Sequence, residues 1–300
     1  MLKRFLHFTE ITTKITSTFT FAMTIAFLLY QGQNINWKLT LIFFAAMFLF
    51  DLTTTGINNY IDSKENGQIL DFNRKTALII IYCLFGISMA LGLYLVYLTD
   101  LVILLAGGIC FICGVLYTYG PVPISRLPLG EIFSGFFYGV MIPFIIIYIN
   151  TPQGYFLTYQ LRGGTLSLEL NIISFITLIL LAIIPFCTTA NIMLANNICD
   201  LESDIAVKRY TLPYYIGKMA LPLFAGLYYL TYLAIIVMVI FKILSPLCLL
   251  SLLSLVIVQK NINIFRKKQE KAVTFICAIK NFIIIMGFDT LLIFISILFS

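Results

Sequence analysis

Recurring apolar stretches, most of them near the length that crosses a bilayer, restrict this chain to a bundle of membrane helices. They fall at about 15–31, 39–60, 76–98, 101–118, 129–149, 171–195, 219–241, 245–259 and 274–298, with the eighth the shortest. A hydrocarbon core of roughly 30 Å takes about 20 apolar residues of helix. Composition agrees, since 61% of the residues are hydrophobic and 11% charged, against roughly 25% charged in soluble domains. The fold expected is therefore an all-α integral membrane protein of about nine transmembrane helices, read as a single domain over residues 1–300. The amino terminus lacks a basic start followed at once by an apolar core, so no cleavable signal peptide is expected.

Charge placement sets the expected topology. Lys3, Arg4, Lys14, Lys64, Arg74, Lys75, Arg126, Lys208, Arg209, Lys218, Lys260, Arg266, Lys267, Lys268 and Lys271 fall at the amino terminus and in every second loop. Lys38, Arg162 and Lys242 fall on the other side. The positive-inside rule then puts the amino terminus in the cytoplasm, and the net charge of +6 reads as topology, with no nucleic-acid partner. Lys3, Arg4 and Lys14 are expected near the membrane surface. Cys110 and Cys113 form one Cys-x-x-Cys inside an apolar run, and without a second pair it reads as packing.

Two polar ladders end even-numbered spans. Asn58, Asp62 and Asn66 form the first, and Asn196, Asp200 and Asp204 the second. On a continuous helix the four-residue spacing puts each set on one face. Three oxygen-bearing side chains aimed at one spot suit a hard divalent cation such as Mg²⁺. Lys208 and Arg209 follow the second ladder and suit a phosphate that the cation also holds. Lys14 is a further diphosphate candidate, as are Asn58, Asn196 and Asn197. The bland alternative is a pair of solvated helix ends, with Asn59 simply exposed. Acid and amide repeated over successive turns, twice, favour one composite metal–diphosphate site on the cytoplasmic face. That site would gather at least the carboxylates of Asp62, Asp200 and Asp204.

Other residues carry weaker signals. Asp51, Lys280 and Asp289 lie inside apolar spans, where a charge is functional or paired. Glu131 opens the fifth span and is either a helix-start charge or a cavity-facing acid. His7, the single histidine, reads as interfacial, which argues against a His-based triad or zinc site. Tyr117 and Tyr119 precede the break at Gly120-Pro121-Val122-Pro123, and an aromatic face there would stabilise a cationic intermediate.

With these residues in view, the chain resembles the UbiA superfamily of intramembrane prenyltransferases, over nearly its whole length. Asn58 and Asp62 match the family's Asn-x-x-x-Asp-x-x-x-Asp motif, where Asn66 departs from the final Asp. Asp200 and Asp204 match its Asp-x-x-x-Asp motif. Asn196-Asn197 with Thr211-Leu212 is similar to the branch that prenylates 1,4-dihydroxy-2-naphthoate in menaquinone biosynthesis. Leu116–Pro121 and Leu129-Gly130-Glu131 are similar to the family's middle segment. The resemblance implies nine helices around a central cavity, and Mg²⁺-dependent transfer from a polyprenyl diphosphate to an aromatic quinone precursor. It implies catalytic roles for Asp62, Asp200 and Asp204, with Asn58 and Asn66 as further metal ligands. It also implies a bacterial cell membrane. 4-Hydroxybenzoate or haem is the alternative acceptor. A transporter is the alternative class, disfavoured because the strongest acids gather at one face and not at mid-depth.

Overall fold

The computed structural model describes residues 1–65, 69–119 and 123–299. In chain order its helices are α1 (Leu2–Phe8), α2 (Ile15–Tyr30), α3 (Trp37–Glu65), α4 (Arg74–Leu98), α5 (Leu101–Thr118), α6 (Gly130–Phe136) and α7 (Ile142–Asn150). A two-stranded hairpin, β1 (Leu157–Arg162) and β2 (Thr165–Leu170), precedes α8 (Ile172–Cys199) and α9 (Leu201–Ala206). The chain ends with α10 (Leu212–Ile216), α11 (Ala220–Ile240), α12 (Leu255–Lys267) and α13 (Ile276–Ser296).

Among the described residues, eight helical stretches are long and apolar enough to cross a membrane, and Leu101–Tyr117 is a shorter apolar helix. The nine expected spans are thus all helical, and the protein is an all-α integral membrane protein. The ranking of the lengths differs from expectation. The eighth span runs over Pro246–Lys267, because a 3₁₀ segment, Pro246–Ser254, leads directly into α12. The fourth span is the shortest instead.

The stretch between the fifth and sixth expected spans forms the antiparallel hairpin, with Leu157 opposite Leu170 and Arg162 opposite Thr165. Its two-residue turn is Gly163-Gly164, both at positive φ, a conformation that costs glycine no steric penalty and matches strand twist.

The helices group into two compact units. One holds residues 1–18 and 36–126, the other 19–35 and 127–300. In the first, Phe8, Ala77 and Ile81 form a buried cluster under Tyr60, Leu70 and Phe72. Asn59, expected to be exposed, donates to the Phe8 carbonyl (2.9 Å) and to Glu10 Oε1 (3.1 Å). It fastens the amino-terminal segment to α3. His7 Nδ1 meets Asp71 Oδ2 at 2.7 Å, so Asp71 is already engaged. That hydrogen bond raises the imidazole pKa above its ordinary value.

Lys14, expected at the membrane surface, is buried in this unit. Its ammonium donates to Asp51 Oδ1 (2.8 Å), the Asp51 carbonyl (3.1 Å) and Thr55 Oγ1. Ser17 donates to the other carboxylate oxygen at 2.7 Å. An intramembrane ion is costly unless paired, and here Lys14 and Asp51 each supply the other's counter-charge.

In the second unit α8 is the central element. Pro185 interrupts its hydrogen-bond ladder, since proline has no N–H for the carbonyl four residues back. Gly135 and Gly139 press against this place. A Cβ on Gly139 would sit 2.3 Å from the Phe186 nitrogen. The π-helical turn Phe137–Met141 between α6 and α7 coincides with the same close approach. Backbone-to-backbone contact here brings the start of α6 alongside the end of α8.

Candidate active site

The second ladder is built on a helix that hesitates without breaking. Asp200 caps α8 at φ −95° and ψ 4°, and α9 starts at the next residue. The Asp200 N–H still bonds the Asn196 carbonyl (3.0 Å), and the Asp204 N–H bonds the Asp200 carbonyl (2.8 Å). The four-residue spacing is therefore kept, and Asn196, Asp200 and Asp204 share a face.

Three elements converge on this end of α8. From α6, Glu131 is buried, and its Oε1 accepts from Asn197 Nδ2 at 2.9 Å. Glu131 stands in the first turn of α6, and its side chain is turned inward to Asn197. From the α12–α13 connection, Lys271 Nζ donates to both Asp200 Oδ2 and Asn196 Oδ1. After α9 the chain turns back sharply. The Arg209 N–H bonds the Asp204 carbonyl (2.8 Å) and the Lys208 N–H bonds that of Ile205 (3.0 Å). This is the Schellman pattern, with Lys208 at φ +57° where glycine is usual. The reversal turns Arg209 toward Asp204, Nη1 to Oδ1 being 3.7 Å, an ion pair too long for a hydrogen bond. Lys208 itself is exposed.

Asp204 is the buried member of the ladder, its side chain 9% exposed against 28% for Asp200. Burial pushes its carboxyl above the ordinary aspartate value and Asp200 adds to the shift, while Arg209 and Lys271 oppose it. Asp204 Oδ2, Asn197 Oδ1 and Glu131 Oε2 are all buried without a hydrogen-bond partner. Buried acceptors left unpaired are costly, and oxygen atoms of this kind are the donor set that a hard cation such as Mg²⁺ takes. The residues present fit a divalent cation. Among the described residues no group of three His, Cys, Asp or Glu is already arranged to hold a metal. Within the second ladder Lys271 and Arg209 supply counter-charges to Asp200 and Asp204.

The first ladder lies in the other unit. Asn58 and Asp62 are half-buried one turn apart near the end of α3, and Asn66 lies outside the described residues. Lys14 is committed to Asp51 as described. A diphosphate contact from Lys14 would therefore require that buried pair to open. Tyr117 is half-buried in the last turn of α5, and Tyr119 caps that helix 65% exposed. Of the intramembrane charges, Asp289 is buried on α13 and accepts from Ser251. Lys280 is exposed in the second turn of the same helix, where a long stem lets an ammonium reach the interface.

Reasoning on the sequence missed Lys271 and left Glu131 undecided. Lys271 had no local signal beyond its share in the basic loops. The Leu-Gly-Glu string before the fifth span was the one clue to Glu131.

The UbiA prenyltransferase family model matches residues 19–283. A 1,4-dihydroxy-2-naphthoate octaprenyltransferase from Bacillus subtilis (strain 168) is 29% identical over 212 residues, spanning 65% of this chain and 62% of that relative's length. Among solved structures, a UbiA homolog from Archaeoglobus fulgidus bound to GPP and Mg²⁺ superposes with a TM-score of 0.62 at 14% identity, covering 97% of this chain and 99% of that one. A chain from a study of digeranylgeranylglyceryl phosphate synthase in membranes gives 0.66 at 16% identity, covering 100% and 99%. At such identities the structures speak for the fold, and the family match, which takes in Asp200 and Asp204, speaks for descent. The chain belongs to the UbiA prenyltransferase family.

Proposed function

We propose that this protein transfers a polyprenyl group from a polyprenyl diphosphate to an aromatic acceptor, 1,4-dihydroxy-2-naphthoate, at the cytoplasmic face of a bacterial cell membrane. The observation that carries the reading is the end of α8, where the unpaired oxygen atoms of Asp204, Asn197 and Glu131 lie among the cations Arg209 and Lys271. Anion and cation partners held side by side suit a metal–diphosphate pair. Asp200 and Asp204 would hold Mg²⁺, with Asn58, Asp62 and Asn66 proposed as ligands from the first ladder. Bound there, the metal would neutralise the diphosphate and stabilise it as a leaving group.

The chain's own residues do the rest. Arg209, Lys208 and Lys271 contact phosphate oxygens with charge-assisted hydrogen bonds, and Asn196 and Asn197 orient the acids beside them. Tyr117 and Tyr119 are proposed as the aromatic faces that would stabilise positive charge growing on the allylic carbon as its bond to oxygen breaks. The electron-rich ring of the acceptor forms the new carbon–carbon bond, and for the naphthoate the ring carboxylate leaves as the prenyl group enters. Support for this acceptor comes from the Bacillus subtilis relative. 4-Hydroxybenzoate or haem is the alternative within the family.

Membranes carrying the protein, given a labelled polyprenyl diphosphate and a panel of acceptors, should prenylate the naphthoate. Chelation should abolish the product, and added Mg²⁺ should restore it. Full activity in excess chelator would remove the metal–diphosphate mechanism. Solute flux that depends on these acids, with no acceptor prenylated, would establish a transporter instead.

A further inference from the structure

The β1–β2 hairpin has two unlike faces. Paired residues in an antiparallel ladder share a face, and neighbours along a strand alternate. Leu157 opposite Leu170 and Tyr159 opposite Leu168 therefore make one face apolar. Thr158 opposite Glu169 and Gln160 opposite Ser167 make the other polar. The apolar face is not covered by the protein at its outer strand, where Leu168 is 63% and Leu170 48% exposed.

The hairpin is also fixed in height. Its base is closed by the Asn171 N–H on the Phe156 carbonyl (3.0 Å), one residue before α8 begins. Phe156 is buried against Phe144 and Tyr148 of α7, with ring centroids 5.3 and 5.8 Å apart. From Ile172 to Cys199, α8 has 28 residues, about 42 Å at 1.5 Å per residue. That matches a bilayer of about 40–45 Å with its headgroup regions included. With the polar end of α8 at one water boundary, the hairpin root falls at the headgroup level of the other. Ile172 and Ile173, exposed at the first turn of α8, carry the apolar surface from the hairpin onto the span. Two open strand edges cannot enter the hydrocarbon core, where unpaired backbone groups find no partner.

We propose that this hairpin lies flat on the bilayer surface, its Leu157–Tyr159–Leu168–Leu170 face seated in the lipid at the headgroup–acyl boundary and its Thr158–Gln160–Ser167–Glu169 face in water. The partner is phospholipid, and the element works as an interfacial anchor between the fifth and sixth spans. It does not depend on the proposed reaction.

Tryptophan scanning tests this. Trp37 is the chain's single tryptophan and is first replaced by phenylalanine. Tyr159→Trp, Gln160→Trp, Ser167→Trp and Leu168→Trp are then placed singly and reconstituted in vesicles of brominated-chain phospholipid. Fluorescence of Tyr159→Trp and Leu168→Trp should be quenched severalfold more by the brominated lipid than that of the other two, with the order reversed for acrylamide. Equal acrylamide quenching at all four positions would overturn the proposal. So would shielding of Leu168→Trp from both quenchers together with self-association, which would assign the face to a second copy of the chain. The unaltered protein offers a second measurement, in case a variant fails to insert. A phospholipid with a photoactivatable acyl chain should label the hairpin as well as the start of α8. Label confined to the helix would sink the idea.

Discussion

Asp200 and Lys271 show how the end of α8 balances its charges. The ammonium of Lys271 spans Asp200 and Asn196, so it neutralises part of the site proposed here for a metal. Asp200→Asn keeps size and hydrogen-bonding capacity but removes the charge. It should slow prenyl transfer about a hundredfold or more, from the loss of a direct ligand in a low-dielectric site. Near-native turnover of this variant would end the assignment of Asp200 as a ligand. Lys14 and Asp51 present the opposite case, an ion pair with no free valence at the surface. Lys14→Met leaves a buried carboxylate uncompensated and should destabilise the protein by about 3–5 kcal/mol in detergent unfolding, while Lys14→Met with Asp51→Leu recovers most of it. If the double variant is no better than the single one, the pair is not what holds these residues in place. The sequence marks Lys14 and Asp51 as separate charges, 37 positions apart. Their partnership arises because the start of α2 and the middle of α3 meet.

At the scale of elements, α8 and α6 form the frame of the site. Asn197 meets Glu131 because Gly139 and Gly135 let the two helices approach until backbone touches backbone. Gly139→Ala places a methyl group 2.3 Å from the Phe186 nitrogen and 2.4 Å from its Cα, and backbone atoms cannot rotate aside. The cost should exceed the about 1–3 kcal/mol of ordinary overpacking, read as a lower unfolding temperature. Gly226→Ala on α11 meets nothing within 4 Å and should leave that temperature unchanged or raise it. Equal effects would mean that the close crossing does not govern stability. Helix positions were legible from hydropathy because a span must bury about 20 apolar residues whatever its neighbours. The hairpin at 157–170 was not, since its alternation is short and the Gly163-Gly164 turn has a meaning only once flanking strands pair.

At the scale of the whole molecule, the alternation of basic and neutral loops predicts that both ladders face the cytoplasm. A cysteine placed at Ser63 and another at Ser203, each in a background freed of native cysteines, should both react with reagents confined to that side. Labelling from opposite sides would refute the nine-span topology. Each unit taken by itself agrees with the alternation. Asp71 from the loop after α3 meets His7 at the amino terminus, and Lys271 meets Asp200. Gln31, after α2, donates to the Ile243 carbonyl after α11 at 2.8 Å, at the other end of the second unit. Sequence by itself determined the membrane class, the places of the apolar helices and the spacing of the ladders, because these depend on hydropathy and helical period, which are local. It also carried the family resemblance through Asp200, Asp204 and the Asn196-Asn197 pair. Only the tertiary structure decided that Glu131 pairs with Asn197, that Lys271 neutralises Asp200, and that Lys14 turns inward to Asp51. Those depend on which helix ends meet, and a single charge in a sequence carries no record of the counter-charge that burial will force upon it.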